Sequence, residues 1–398
     1  MAASKETRVS DTPTLSLVRL GRSPLIGRER ELAILSQQFA EARAGHCSVV
    51  LLSGPPGVGK SRLLEEFPPA QLASGVTVLR GGTSRAEGMP PYLPLLEAIG
   101  EHIAATPIEQ LRSEVGSRAP ILATLWPELT LRLGAPQRRY TLSADQERFR
   151  LFEALAGFLA AIAAGGALVL LLDDLHWVDR ATCDVLVYVL TRLRSGNLLV
   201  LGAYRDGEAA DNPALVSALA ELNHLRLLVT LEVAPLGEDE SGILVASLLQ
   251  ADVATEVVSQ HHERSEGNPF FLEELARAVA DEKLLEFWAG RWHLPRNPRP
   301  ILPTRAAEAI EDRLRRLDPA VLETLRVASV VGQESSPAVL AQITGTDIDT
   351  VEERLRRAQQ ARIVRPDADG GFVFTHDLLR ETLYGQLGPA QTWASSPS

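Results

Sequence analysis

The eight residues Gly54-Pro-Pro-Gly-Val-Gly-Lys-Ser61 complete a G-x-x-x-x-G-K-[ST] phosphate loop directly after the apolar run Ser48–Ser53. An apolar strand, a glycine-rich turn and a helix opening at that turn form a unit that needs a sheet of parallel strands around it. Gly54, Gly57 and Gly59 permit backbone conformations and close approach that a Cβ blocks, with Pro55, Pro56 and Val58 between them. Successive N–H groups then converge on an anion. Lys60 reaches the β- and γ-phosphates, Ser61 offers a hydroxyl to Mg²⁺, and Arg62 continues into the helix. The chain holds three lysines (Lys5, Lys60, Lys283) against 37 arginines, so a lysine at position 60 is informative.

Apolar runs alternate with helical patterns over most of the first half. Strands are expected at 48–53, 76–80, 167–172, 198–203 and 226–231. Helices are expected from Pro24 to about Arg43 and over 60–67, 92–104, 143–164, 180–194 and 213–222. Strands that are apolar on both faces and separated by helices imply a parallel sheet covered on both sides. After Pro235 the pattern turns helical (237–250, 252–264, 269–284), followed by a hairpin turning at Ala289-Gly290 and a Pro-rich linker over 294–303. Short helices and a hairpin over 363–374 then fit a winged-helix unit. The expected organisation is a flexible leader (1–20), a nucleotide-binding domain (21–235), a small helical domain with hairpin and linker (236–300), a winged-helix domain (301–388) and an unstructured tail (389–398).

With 398 residues and 45% hydrophobic content, two or three domains can each bury a core. Two cysteines, Cys47 and Cys183, exclude a disulfide framework and a cysteine metal site. Lacking a signal-like or membrane-spanning run, the sequence reads as soluble and cytoplasmic, with no membrane partner. A net charge of −11 argues against a surface devoted to nucleic acid.

The second chemical motif is the strand ending in Leu172-Asp173-Asp174-Leu-His-Trp177. Ligands bind at the carboxyl edge of open parallel sheets, so Asp173 is placed to hold Mg²⁺ and Asp174 to orient or deprotonate the attacking water. A solvated strand end or helix cap is the plain alternative. His176 has no second histidine or cysteine nearby, which favours packing over metal ligation. Arg205 follows the strand 198–203 and reads either as a γ-phosphate arginine or as a surface side chain. Arg85 and Glu87 lie in a loop that could border the site.

Taken in order, Ile26-Gly27-Arg28-Glu29, the phosphate loop, Leu-Leu-Asp-Asp-Leu-His-Trp177, Ala203-Tyr-Arg205 and Glu266-Gly-Asn-Pro-Phe-Phe-Leu-Glu-Glu-Leu275 resemble the signal-transduction ATPases with numerous domains. Within that AAA+-related class the chain looks like the ATPase module of large LuxR-type bacterial transcriptional regulators, which also occurs beside cyclase and kinase domains. The resemblance, over about residues 24–388, implies an α/β P-loop NTPase with a parallel sheet, a helical lid and a winged helix. It implies that ATP or ADP is bound with Mg²⁺, that Ile26, Gly27 and Arg28 lie against the adenine, and that Gly267 and Pro269 close over the nucleotide. The strand 198–203 is then expected between the phosphate-loop and Asp-Asp strands, aiming Arg205 inward. Thr375-His376-Asp377 resembles a Met-His-Asp element whose histidine contacts the β-phosphate of ADP, although helix capping explains His376 equally. Members usually continue into sensor repeats and an output domain, whereas this sequence ends soon after Leu387.

Three functions follow as expectations. The first is an ATP-binding, slowly hydrolysing switch that engages a protein partner or self-associates in the ATP state. The second is a nucleotide-binding module without significant turnover. The third is a winged-helix DNA binder, against which Glu352, Glu353 and Asp367 dilute the arginines 354, 356, 357, 362 and 365.

Overall fold

The computed structural model describes residues 23–71, 75–83, 90–134, 143–296, 303–361, 363–367, 370–375 and 377–387. The expected leader and tail, Arg85, Glu87, Arg362 and His376 lie outside them. By backbone contacts the chain divides into Arg28–Ala234 and a second unit comprising Pro235–Ser398 with Met1–Gly27.

The first unit runs α1 (Glu29–Arg43), β1 (Ser48–Ser53), α2 (Lys60–Gln71), β2 (Val76–Gly82) and α3 (Leu93–Ala105). It continues through α4 (Ile108–Val115), α5 (Ala119–Leu122), α6 (Glu128–Leu133), α7 (Ala144–Ala163), β3 (Ala167–Asp173) and α8 (Arg180–Arg192). β4 (Leu198–Ala203), α9 (Asp206–Ala209), α10 (Pro213–His224) and β5 (Leu228–Glu232) complete it. The five strands form one parallel sheet in the order β2-β3-β4-β1-β5. β1, β4 and all of β3 except Asp173 are buried on both faces, which is why they read as unbroken Val/Leu runs rather than alternating ones. Gly202 interrupts β4 because a Cβ there would lie 2.5 Å from the side chains of Leu51 and Leu175.

Two expected boundaries move. Helix α1 begins at Glu29 rather than Pro24, since Gly27 sits at φ +65°, outside the helical region. Strand β5 begins at Leu228 rather than Arg226, because Arg226 takes φ +56° and its N–H closes the end of α10 on the Asn223 carbonyl at 2.9 Å. The three short helices α4 to α6 had no counterpart in the sequence reading. At four to eight residues each they span barely one or two turns, too few for a 3.6-residue period to stand out.

The second unit contains α11 (Glu238–Leu249), α12 (Thr255–Ser265), α13 (Pro269–Asp281) and the antiparallel hairpin β6 (Glu286–Trp288)–β7 (Arg291–His293). Ala289 and Gly290 both take positive φ, +49° and +78°, the conformation a two-residue turn of this twist demands. Then follow α14 (Thr304–Leu314), α15 (Pro319–Val331), β8 (Glu334–Ser335), α16 (Pro337–Thr344) and α17 (Ile348–Gln360). β9 (Val364–Pro366), β10 (Phe372–Phe374) and α18 (Asp377–Gly385) end the described chain, with β8-β10-β9 an antiparallel sheet. Helix α13 is apolar on two sides. Leu272, Ala276 and Val279 join the core of α11, α12 and the hairpin, while Phe271 and Leu275 join the core of α14 to α18. An ion pair between Arg264 and Glu381 at 2.7 Å adds a second tie. Helix α13 therefore contributes to the core of the 236–300 segment and to that of the 301–388 segment.

Candidate nucleotide site

The register of the sheet brings the ends of β1, β3 and β4 level. Leu52 pairs with Ala203 and Leu172 with Gly202, so the phosphate loop, Asp173 and Arg205 leave the same edge. Gly54, Gly57 and Gly59 take φ of +149°, +81° and +101°. A Cβ on Gly54 would lie 2.7 Å from the Val233 carbonyl, whereas Gly59 has open space around it and is required by its backbone conformation alone. Gly57 in the loop and Ser61 at the start of α2 are exposed. Arg62 turns along α2 and pairs with Glu66 at 2.7 Å.

Lys60 is buried, and its Nζ donates to the carbonyls of Gly54 and Pro55, both at 2.8 Å. Burial, helped by the cation of Arg205, lowers its pKa to about 8, against the upward pull of Asp206, Asp173 and Asp174. An ammonium that titrates near pH 8 and must be charged to meet phosphate makes binding take up a proton in alkaline solution. ATP and ADP affinity should therefore fall by up to about tenfold per pH unit above pH 8. Calorimetry in buffers of different ionisation heat should show proton uptake there in the wild type and none in Lys60→Ala.

Arg28 is almost fully buried and donates to the Val58 carbonyl at 3.1 Å while pairing with Glu31 at 3.4 Å. Its guanidinium thus braces the phosphate loop from the protein side. Ile26 and Gly27 fall in the other unit. There Ile26 packs on the core of α11 to α13, and a Cβ on Gly27 would strike the Glu240 carboxylate. Pro269 opens α13 behind Asn268, whose side chain accepts from the Phe270 N–H at 3.1 Å. Gly267, at φ +72°, leaves no room for a Cβ against the Leu236 carbonyl.

At the end of β3, Asp174 adopts the left-handed conformation (φ +55°), uncommon for a residue with a side chain, and turns the strand into a 3₁₀ turn over Leu175–Trp177. Asp173 Oδ1 accepts from the Asp174 N–H at 2.8 Å, and the Thr83 hydroxyl donates to the Asp174 carbonyl. Burial and the neighbouring Asp173 push the Asp174 carboxyl above its ordinary pKa, while Arg205 and Lys60 pull it down. His176 is buried, with Nε2 3.3 Å from Glu208 and 3.8 Å from Asp174. Arg205 donates to Glu208 at 2.8 Å and lies over the Trp177 ring, 5.3 Å from its centroid.

Asp206, Glu208, Thr83 and Asn212 had not been singled out from the sequence. Asp206 directly follows the Tyr204-Arg205 pair and Glu208 comes two residues later, which was the available signal. Asn212 caps α10 by accepting from Ala214 and Leu215, and its Nδ2 donates to the carbonyls of His176 and Val178 at 3.2 and 2.8 Å. One side chain thereby satisfies groups from two segments. Asn212→Ala removes a cap and the hydrogen bonds from Nδ2 to two carbonyls, so a loss of about 2 kcal/mol is expected in urea unfolding, with faster hydrogen exchange in 175–178.

Among the described residues no group of three or more His, Cys, Asp or Glu could hold a metal ion unaided, and no helix is long and apolar enough to cross a membrane. The adjacent carboxylates Asp173 and Asp174, whose repulsion contributes to the raised pKa, do fit a cation that takes most of its ligands from water and phosphate.

Residues 24–201 match the family model of the AAA ATPase domain. This part of the chain is an AAA+-related P-loop ATPase module. A curated relative, an uncharacterized protein of Rhizobium meliloti (strain 1021), is 26% identical over 393 residues, which cover 93% of this chain and 36% of the relative. The chain thus spans about a third of that protein's length. Among solved structures, it is similar to a signal transduction ATPase with numerous domains (STAND) with a tetratricopeptide repeat sensor from Pyrococcus horikoshii (11% identity, 94% of this chain and 45% of that one, TM-score 0.37). It is also similar to a RuvB variant from Thermotoga maritima (18% identity, 91% and 96% covered, TM-score 0.40).

Proposed function

We propose that this chain binds ATP with Mg²⁺ and hydrolyses it slowly to ADP and phosphate, as a switch of the STAND kind in bacterial transcription regulation. The observation that carries the reading is the meeting of a phosphate loop, a buried ammonium, a carboxylate pair and an arginine at one sheet edge. Lys60 and the loop N–H groups hold the β- and γ-phosphates. Ser61 and Asp173 hold Mg²⁺, which when bound offsets phosphate charge. Asp174 takes the proton of the attacking water on a carboxylate oxygen, and its raised pKa strengthens it as a base. Arg205 meets the charge that builds on the γ-phosphate.

In this reading the ATP state engages a protein partner or a second copy, and the ADP state does not, with a coupling of about 1–3 kcal/mol. The order helix, strand, helix, helix, strand, strand over residues 319–374 supports a winged helix in the second unit. Direct DNA binding through it is disfavoured by local pairing. On α17, Arg356 pairs with Glu352 and Glu353, Arg357 pairs with Glu353, and Arg354 donates to Thr324.

The test is the nucleotide content of the purified protein together with phosphate release over hours in Mg²⁺ and ATP. Bound nucleotide with slow release supports the switch. Bound nucleotide with no release supports a binding module without turnover. Failure to bind either nucleotide removes both.

A further inference from the structure

Glu208 lies on the short helix α9, three residues beyond Arg205, and its two carboxylate oxygens face different partners. Oε1 accepts from Arg205 Nη1 at 2.8 Å, and Oε2 lies 3.3 Å from His176 Nε2. The imidazole is buried, its ring 4.4 Å from that of Trp177, and Trp177 in turn carries the Arg205 guanidinium. Asn212 holds the backbone of the same turn through the carbonyls of His176 and Val178. One carboxylate therefore joins the exit of β4 to the turn that follows the Asp173-Asp174 pair.

We propose, on the reading that this site hydrolyses ATP, that Glu208 is a positioning residue which anchors Arg205 on Trp177 and keeps it from pairing with Asp173 or Asp174. A guanidinium on a long flexible stem, released among Asp173, Asp174 and Asp206, falls onto the nearest carboxylate. Pairing with Asp174 weakens that residue as a base and removes the cation from the phosphate. Held at two points, by an oxygen and by an aromatic face, Arg205 is ready before nucleotide arrives and reorganises little when it does. His176 Nε2 lies beside the second oxygen of the same carboxylate, at 3.3 Å, on the β3 side.

The test compares Glu208→Ala, Glu208→Gln, Arg205→Ala and the double alanine variant. In the nucleotide-free protein, Trp177 emission, isolated by subtracting the matching Trp177→Phe protein, reads the anchor directly. Glu208→Ala should change it as Arg205→Ala does, and the double variant should add nothing. The ratio of ATPγS to ADP affinity reads the consequence. It should fall about tenfold in Glu208→Ala, equally in Arg205→Ala, no further in the double, and recover in Glu208→Gln, which keeps an acceptor of the same length. Unchanged Trp177 emission in Glu208→Ala overturns the proposal, as does an undiminished effect of Glu208→Ala in the Arg205→Ala background. A wild type that binds neither nucleotide overturns the ATPase reading instead, and the emission arm still decides whether Glu208 holds Arg205.

Discussion

Lys60→Ala is expected to weaken ATP and ADP binding by roughly 30- to several-thousand-fold while the sheet stays folded. Truncating one partner of a desolvated, hydrogen-bonded charge pair costs about 2–5 kcal/mol, and each 1.4 kcal/mol or so is tenfold in affinity. The folded chain loses two hydrogen bonds by the change and is relieved of a buried charge. Burial has already driven the Lys60 pKa to about 8, so the charged form is disfavoured where it sits. The bonds lost go to the Gly54 and Pro55 carbonyls, at the start of a loop whose Gly57 end is open to water. Calorimetric titration reads the affinity and urea unfolding reads the fold. Wild-type affinity in the variant counts decisively against the assigned site, and loss of binding together with the unfolding transition makes Lys60 a structural residue.

What could be read from the sequence depended on how local the determinant was. The phosphate loop and the Asp173-Asp174 strand end are contiguous, and each carries its own structural context, so their elements were legible directly. The place of β4 between β1 and β3 is not local. It came from resemblance to a family, because nothing in the Leu198–Ala203 run distinguishes a central strand from its neighbours. The guanidinium of Arg28 meets the Val58 carbonyl, a contact across 30 residues that no spacing announces. Glu208 and Asn212 stayed silent for a similar reason. A carboxylate three residues after an arginine, or an asparagine before Pro213, is ordinary helix-start chemistry, and only the fold brings His176 to both. Helix α13 is the reverse case, since its helical pattern was plain but its two apolar sides, which unite the helical and C-terminal segments, emerge only once both cores exist.

Asp174→Asn should leave nucleotide binding intact and lower turnover by about 10²-fold or more, the usual worth of a general base. The substitution keeps the shape of the side chain and the backbone contacts that fix it: the Asp174 N–H still donates to Asp173, and its carbonyl still accepts from Thr83. What it removes is the group able to take a proton. Asparagine also tolerates the left-handed backbone found here (φ +55°), so the turn into Leu175–Trp177 gains no strain. Binding should even improve slightly, because one of two carboxylates facing the phosphates is neutralised, and ATP affinity that holds or rises while phosphate release falls is the signature to seek. Single-turnover phosphate release with preloaded ATP separates chemistry from product loss. Equal rates in the two proteins take Asp174 out of the reaction and favour a module that binds without turnover. A parallel loss of affinity and rate instead makes Asp174 part of the cradle, acting through the fold of the β3 turn rather than through proton transfer.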